Sequence, residues 1–197
     1  MHTFEGPFEL ITGGMFSGKT EELRKRLKRP GYIDKKVLVI KPTTDNRETR
    51  ETFQMITSDK FLKKYKNLSM QTVANFEELK VAVDTYKPEI LAVDEAQFFG
   101  FWIIDAIREQ LDIHEEDDEF KIIVAGLDRD FLTKGFGPMP QLMVEADSVT
   151  KLSGVCHKCH KRPAPFTYKI GGNPNQQTEV GEDIYQARCR SCHKLSE

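Results

Sequence analysis

Apolar runs alternate with amphipathic, charged segments along the first three quarters of the chain. Six runs predict strands, at residues 8–12, 37–40, 70–73, 90–93, 120–126 and 149–152. Apolar residues at helical spacing predict four helices, which begin near Thr20, after a capping Asn75, near Trp102 and at Pro138. Strands that alternate with helices in this way are typical of an α/β domain with a mostly parallel sheet, which we expect over residues 1–150.

Two segments depart from this alternation. Residues 42–67 are polar and charged without a clear period, so we expect a long loop there. Residues 151–197 contain all four cysteines of the chain and predict a second, smaller lobe. About 45 residues bury little apolar surface, so a lobe of this size is expected to need a further source of stability.

The cysteines form two C-x-x-C pairs with 29 residues between them: Cys156, Cys159, Cys189 and Cys192. Four thiolates at this spacing fit the tetrahedral shell of Zn²⁺ and leave no open position, which predicts a structural zinc site. A redox-active C-x-x-C pair is the alternative interpretation. Three histidines beside the cysteines, at 157, 160 and 193, could also substitute as ligands, although four cysteines make that unnecessary.

Composition narrows the class of protein. The chain has 197 residues, 39% of them hydrophobic, and a formal net charge of −2. This is enough apolar material for a core, and the near-neutral charge gives no electrostatic reason to expect a nucleic-acid partner. No apolar run approaches the roughly 18 residues of a membrane span, and the first residues lack the features of a signal peptide. We therefore expect a cytoplasmic protein with no membrane partner.

A phosphate-binding motif follows the first predicted strand. Gly13 is separated by four residues from Gly18-Lys19-Thr20, the P-loop pattern, in which backbone N–H groups and a helix N-terminus bind phosphates. Lys19 would reach the β- and γ-phosphates, and the Thr20 hydroxyl would hold the Mg²⁺ that accompanies ATP. Together with Asp94, the predicted phosphate-binding residues are Gly13, Gly14, Met15, Phe16, Ser17, Gly18, Lys19 and Thr20.

Two carboxylates end the strand at 90–93. Asp94 takes the position of the residue that holds the metal in P-loop proteins, and Glu95 could accept a proton from whatever attacks the γ-phosphate. The acceptor is either water, as in an ATPase, or the hydroxyl of a small molecule, as in a kinase. The chain has no N-K-x-D run, which argues against a GTPase. Phenylalanines on the loops after the strands could flank a planar ligand: Phe98, Phe99, Phe101, Phe131 and Phe136.

Several stretches carry a resemblance to a known family. They are residues 13–20 (GGMFSGKT), 41–47 (KPTTDNR), 93–99 (VDEAQFF), 126–131 (GLDRDF), 136–138 (FGP) and 181–185 (GEDIY), with the two cysteine pairs. In these stretches the chain resembles the type II thymidine kinases, the cytosolic, zinc-containing class. The resemblance spans nearly the whole chain in the order of the family.

The resemblance implies that the γ-phosphate of ATP is transferred to the 5′-hydroxyl of thymidine, and of deoxyuridine, with Glu95 as general base. Asp45 and Arg47 match residues on the acceptor side, where the metal is also held by Thr20 and Asp94. The residues that match the nucleoside pocket are Met15, Phe98, Leu127, Phe131, Phe136, Thr167 and Tyr185. The segment between the cysteine pairs matches a lasso that closes over thymine. A homotetramer and inhibition by dTTP are also implied.

An alternative function uses the same motifs differently. A P-loop ATPase with a zinc ribbon could serve as a nucleic-acid-binding adaptor, since residues 151–197 contain eight Lys or Arg against four acidic residues. An adaptor would not need a phenylalanine pocket or a lasso, whereas a nucleoside kinase would not show steeply salt-dependent DNA binding.

Overall fold

The larger part of the protein is a six-stranded parallel sheet between two layers of helices. The computed structural model describes residues 6–29, 34–43, 67–172, 179 and 182–194. The strands are β1 (Phe8–Gly13), β2 (Val37–Pro42), β3 (Leu68–Val73), β4 (Ile90–Val93), β5 (Lys121–Leu127) and β6 (Ser148–Leu152). They lie in the order β3-β2-β4-β5-β1-β6, and each neighbouring pair is parallel. The expected α/β fold is confirmed, and all six predicted strands are present.

In the described ranges, four helices cover the sheet: α1 (Lys19–Leu27), α2 (Phe76–Tyr86), α3 (Trp102–Ile113) and α4 (Met139–Glu145). The predicted cap of α2 is confirmed, because the Asn75 side chain accepts a hydrogen bond from the Glu78 N–H at 2.9 Å. No helix in the described part of the chain is both long enough and apolar enough to cross a membrane.

The core is divided by the sheet into two layers. Side chains alternate between the faces of a strand, so Phe8 and Leu10 of β1 pack in one layer, whereas Ile11 packs in the other with Leu23 and Leu27 of α1. All residues of β1, β2 and β4 are buried, which explains the unbroken apolar runs at 37–40 and 90–93; the polar side chains in these strands, Glu9, Thr12 and Lys41, are buried as well. The sheet is therefore a rigid support for the loops at its carboxyl edge.

A buried ion network ties α1 to β1. Glu9 is 1% exposed and accepts hydrogen bonds from Arg26 at 2.7 Å and from Arg29 at 2.7 Å. Arg26 also donates to Glu22 on its own helix and to Thr150 of β6. Because the carboxylate and both guanidinium groups have partners, the burial of charge is compensated. The network fixes the helix that follows the predicted phosphate loop.

The second lobe has little regular structure. Its strands are β7 (Gly154–Val155), which pairs with β8 (Pro163–Ala164), and β9 (Phe166–Lys169), which pairs with β10 (Tyr185–Arg188); both pairs are antiparallel. A 3₁₀ turn at Glu182–Ile184 precedes β10. Within the described part of this lobe, the buried cluster consists of Cys156, Ala164, Ala187 and Cys189. The predicted boundary at residue 150 falls inside β6, and the division into two domains stays a prediction.

Candidate active site at the carboxyl edge of the sheet

The predicted phosphate loop connects β1 to α1. Gly13 and Gly18 have φ angles of +149° and +82°, and Phe16 has a φ of +60°, unusual for a residue with a side chain. A Cβ atom on Gly13 would lie 2.4 Å from the Leu152 carbonyl oxygen, so only glycine fits there. Gly18 is the N-cap residue of α1. The loop therefore delivers the chain directly into the N-terminus of α1, as the motif predicts.

Lys19 lies at the start of this helix, followed by Thr20 in its first turn. The Lys19 Nζ donates to the Gly14 carbonyl oxygen at 2.9 Å. Burial lowers the pKa of Lys19, while the nearby carboxylates of Glu95, Asp94 and Asp128 act in the opposite direction. The lysine of the loop and the carboxylates that end β4 and β5 thus share one site.

Asp94 forms a buried ion pair that sequence reasoning missed. Lys41, in β2, has its Nζ 3.2 Å from Asp94 Oδ2, and the two residues are 1% and 2% exposed. The other oxygen of Asp94 accepts the Glu95 N–H at 3.0 Å. Oδ2 makes no hydrogen bond to any residue that the structure describes. A lysine directly after four apolar residues, near the end of a buried strand, was the signal available in the sequence.

Glu95 is held in an uncommon backbone conformation. Its φ of +55° lies in the left-handed region, and a 3₁₀ turn, Ala96–Phe98, begins with the next residue. Burial raises the pKa of Glu95 and the adjacent Asp94 raises it further, whereas Lys19, a hydrogen bond from Gln97 and Lys41 lower it. A half-buried carboxylate with a raised pKa, beside a phosphate loop, has the properties expected of a general base.

Gln97 and Asp128 complete the polar side of the site. Gln97 is 2% exposed and bridges Glu95 to the backbone of Leu127. Burial raises the pKa of Asp128, but hydrogen bonds from Lys151 and Arg129 outweigh this effect and lower it below its usual value. Sequence reasoning assigned no role to either residue, although both lie inside the quoted motifs.

The predicted aromatic pocket is assembled only in part. Phe98 and Phe136 meet edge to face with ring centroids 5.5 Å apart, next to the 3₁₀ turn. Phe131 lies under the Lys169 ammonium group, 5.0 Å from its ring centroid. Phe99, in contrast, is buried in the core against Trp102, and Phe101 is 68% exposed. The structure thus places Phe99 and Phe101 outside the pocket.

The second lobe rests on the phosphate loop. Met15 donates its N–H to the Thr167 hydroxyl at 3.0 Å, and the Phe16 ring packs on His157 with centroids 5.0 Å apart. Thr167 is buried in β9 opposite Ala187, and Tyr185 lies opposite Lys169 in the same strand pair. Both predicted lasso residues are therefore in a regular ladder, whereas Gly181 is outside the described residues.

The four cysteines come together at the base of this lobe. The Sγ atoms of Cys156, Cys159, Cys189 and Cys192 all lie within 4.8 Å of one another, a cluster that could hold a metal ion. Burial raises the pKa of the Cys156 thiol, but backbone N–H groups outweigh this and lower it to about 5.

The pKa of Cys192 rises to about 12, through its hydrogen bond with Cys189 and through burial. Ionisation of one cysteine thus makes ionisation of its neighbours less favourable, and a bound dication would allow all four thiols to ionise. The donor set fits zinc. Among the described residues, no histidine belongs to the cluster.

Two predicted acceptor-side residues, Asp45 and Arg47, lie outside the described residues. The remaining site residues surround one edge of the sheet: the loop after β1, the carboxylates after β4, Leu127 at the end of β5, and Thr167 above the loop.

Comparison with known proteins gives one consistent result. A family model described as thymidine kinase matches residues 6–193. A relative named thymidine kinase from Mesomycoplasma hyopneumoniae is 41% identical over 192 residues, which cover 98% of this chain and 97% of the relative. Another thymidine kinase, from Mycoplasma mobile, is 40% identical over 190 residues, covering 96% of this chain and 88% of the relative.

Proposed function

Because this chain belongs to the thymidine kinase family, we propose that it transfers the γ-phosphate of ATP to the 5′-hydroxyl of thymidine, and of deoxyuridine, giving dTMP from thymidine for pyrimidine salvage. The observation that carries the proposal is the convergence of Glu95 with the phosphate-loop Lys19 at one sheet edge, beside the Phe98–Phe136 pair. The same edge thereby offers a place for a triphosphate, a base and a planar ligand.

The triphosphate binds at the loop that residues 13–20 form. Backbone N–H groups and the N-terminus of α1 receive the phosphate oxygens, and Lys19 leaves the Gly14 carbonyl to contact the β- and γ-phosphates. When bound with ATP, Mg²⁺ would supply neutralisation of the charge that develops on the phosphates. Thr20 and Asp94 would hold it, and the donor set fits this role because a hydroxyl and a carboxylate are oxygen ligands; the Asp94 carboxylate, which is ion-paired with Lys41 at 3.2 Å, would be shared between that ammonium group and the metal.

Glu95 takes the proton of the 5′-hydroxyl as that oxygen attacks the γ-phosphorus. The new bond joins O5′ to phosphorus, the bond to the β–γ bridging oxygen breaks, and ADP leaves. The raised pKa of Glu95 makes its carboxylate a stronger base than an exposed glutamate. The positive charges of Lys19 and Lys41 partly offset the negative charge of the Glu95 carboxylate.

The nucleoside binds beside the 3₁₀ turn. The residues proposed to line its pocket are Met15, Phe98, Leu127, Phe131, Phe136, Thr167 and Tyr185. Aromatic rings pack against the flat base, and backbone groups of the lasso read the pyrimidine edge. A pocket of this kind accepts a 5-methyl group and excludes the larger purines.

The remaining assignments follow the family. The cysteine cluster holds a structural Zn²⁺ that anchors both ends of the lasso, since four thiolates leave no open position for chemistry. Asp45 and Arg47 act on the acceptor side. The enzyme is a cytoplasmic homotetramer that dTTP, its distant end product, inhibits.

The test is transfer of labelled γ-phosphate from ATP, with Mg²⁺, to thymidine, deoxycytidine, deoxyguanosine or no acceptor. Label on thymidine alone is expected. Label released only as free phosphate would mean that water is the acceptor, and an ATPase-type adaptor with salt-dependent DNA binding would then be the better interpretation.

The second part of the test is Glu95→Gln, which should lower kcat by about 10²- to 10⁴-fold while ATP still binds. The control is Glu77→Gln, on the exposed first turn of α2, which should retain full activity. Undiminished phosphorylation by Glu95→Gln would contradict the general-base assignment.

A further inference from the structure

Gln97 is a buried amide with a closely fitted surrounding. It is 2% exposed, and two glycines leave the room that it occupies. A Cβ on Gly137 would lie 2.4 Å from the Gln97 carbonyl oxygen, and one on Gly126 would lie 2.9 Å from its Oε1. Gly137 thus makes room for the backbone carbonyl of Gln97, and Gly126 makes room for its side-chain oxygen.

The backbone of Leu127 determines which way the amide faces. The Leu127 N–H can only donate, and it donates to Gln97 Oε1 at 2.9 Å. The amide nitrogen must then face the other way, where it donates to Glu95 Oε2. Because the orientation follows from a backbone donor, the side-chain nitrogen is fixed as the group that meets the carboxylate.

Glu95 needs such a constraint. Among the described residues, three charged groups act on its carboxylate: Asp94, the adjacent residue, repels it, whereas Lys19 of α1 and Lys41 of β2 attract it. Its own backbone is in the left-handed region, an unfavourable conformation for a residue with a side chain, so the surrounding contacts must hold it in place. With Oε2 bound by Gln97, Oε1 is the oxygen left to meet a substrate hydroxyl.

We propose that Gln97 is a positioning residue for Glu95: its amide, oriented by Leu127, binds one carboxylate oxygen and aims the other at the acceptor hydroxyl. The inference rests on the proposed function, because it assigns the geometry of the same base. It links β5, which carries Leu127, to the turn after β4, so two strands of the sheet together define the position of one carboxylate.

Gln97→Glu is the sharpest variant. It keeps the size of the side chain and an oxygen that accepts the Leu127 N–H, but replaces the donor that faces Glu95. We expect kcat to fall on the order of 10- to 100-fold, the loss typical of groups that orient a functional residue, with the KM for thymidine and for ATP unchanged. The matched control is Gln141→Glu, because Gln141 donates to Glu145 on the exposed surface of α4 and should tolerate the same change.

A double-mutant cycle separates positioning from a general effect on structure. In the Glu95→Gln background, Gln97→Glu should lower kcat no further, since Gln97 acts through Glu95. Independent, multiplying losses would overturn the proposal, as would a kcat for Gln97→Glu within about two-fold of the wild type. Should Gln97→Glu fail to fold, Gln97→Met takes its place, with the thermal midpoint recorded for each variant.

A spectroscopic measurement tests the contact between Gln97 and Glu95 without requiring catalytic activity, so its outcome does not depend on the proposed function. The side-chain amide signal of Gln97 in a ¹⁵N spectrum is the pair absent from Gln97→Glu, and it should move when Glu95 becomes Gln. An unmoved signal would mean that the contact is absent. If the wild type releases only free phosphate, the proposed function fails, and the same cycle is then run on that release, since Glu95 would activate water from the same position.

Discussion

The two lobes of this protein are stabilised in different ways. Among the described residues, the α/β part has two layers of buried apolar residues, 21 on one face of the sheet and nine on the other. The cysteine lobe has a cluster of four, of which two are themselves cysteines of the proposed metal site. Burial of apolar surface is thus concentrated around the sheet, and we expect the smaller lobe to depend on the proposed metal for its stability.

The two lobes nevertheless contact each other at the phosphate loop, where the proposed chemistry takes place. The phosphate loop belongs to the larger domain, but its backbone at Met15 is bonded to Thr167 of the smaller one, and the Phe16 ring packs on His157. A Cβ on Gly154 would lie 2.5 Å from the Phe16 carbonyl oxygen, so the two backbones are in close contact. The lobe with the smaller buried apolar cluster thus supports the loop that would bind ATP.

Loss of the metal should have the largest effect. Cys156→Ser removes one of four ligands, and structural zinc contributes about 10–16 kcal/mol to folding, so the smaller lobe should unfold while the sheet persists. Zinc content per chain and far-ultraviolet circular dichroism are the measurements. The KM for thymidine should rise together with the loss of zinc.

The control for that variant is Ser191→Ala, next to the cluster, where Ser191 contacts Cys189 without being a ligand. This variant should keep one zinc per chain. A Cys156→Ser protein that retained its zinc and its affinity for thymidine would show that the four-cysteine assignment is wrong.

A cavity in the core of the larger domain should have the next largest effect on stability. It should destabilise the sheet and leave the cysteine lobe unchanged, the reverse of the effect of losing zinc. Leu10 is fully buried in β1, so Leu10→Ala should lower the free energy of unfolding by about 3 kcal/mol. Val81→Ala on α2, where Val81 is 63% exposed, is the control and should change little. In a urea titration, the sheet of Leu10→Ala should unfold at a lower urea concentration than that of the wild type, while zinc should be released at the same concentration. A parallel shift of both transitions would mean that the lobes unfold as one unit.

Sequence patterns predicted the elements of this fold well because they depend on local physics. Continuous apolar runs identified β2 and β4, since strands of a covered parallel sheet are apolar on both faces. Asn75 was identified as a cap from its position before a charged first turn. The spacing of the cysteines likewise indicated their cluster without any knowledge of the fold.

Contacts between distant segments were not predictable in the same way. Gln97 and Leu127 are 30 residues apart, and Met15 and Thr167 are 152 apart, so neither pair leaves a periodic signal. Phe99 and Phe101 also show the limit, because the turn after Glu95 sends one into the core and the other to the surface. Composition could not distinguish them from Phe98.

The contact between the lobes can be weakened directly. Thr167→Val keeps the shape of the side chain but leaves the Met15 N–H without its acceptor, which should cost about 2 kcal/mol. The KM for ATP should rise, because the phosphate loop loses its support. Thr167→Ser should restore it, and Thr72→Val, on the exposed side of β3, is the control. An unchanged KM for ATP in Thr167→Val would show that the loop holds its form without the smaller lobe.

The smallest effect concerns the charged side of the same contact. Asp128 at the end of β5 binds Lys151 at 2.6 Å and Arg129 at 3.0 Å, and Arg129 lies 5.1 Å from the ring centroid of Phe166 in the smaller lobe. Burial raises the pKa of Asp128, but the two cations lower it below the ordinary value of 3.8. A carboxyl whose pKa is lower in the folded state stabilises the fold above its unfolded pKa, and this contribution is lost as the pH falls through the folded pKa.

Asp128→Asn should therefore destabilise the protein by about 1 kcal/mol at pH 7, and the difference from the wild type should vanish well below pH 3.8. Urea unfolding across this range measures it, with exposed Asp118→Asn as control. A difference that persisted in acid would assign the effect to packing, and the contact between the lobes would then depend on shape alone.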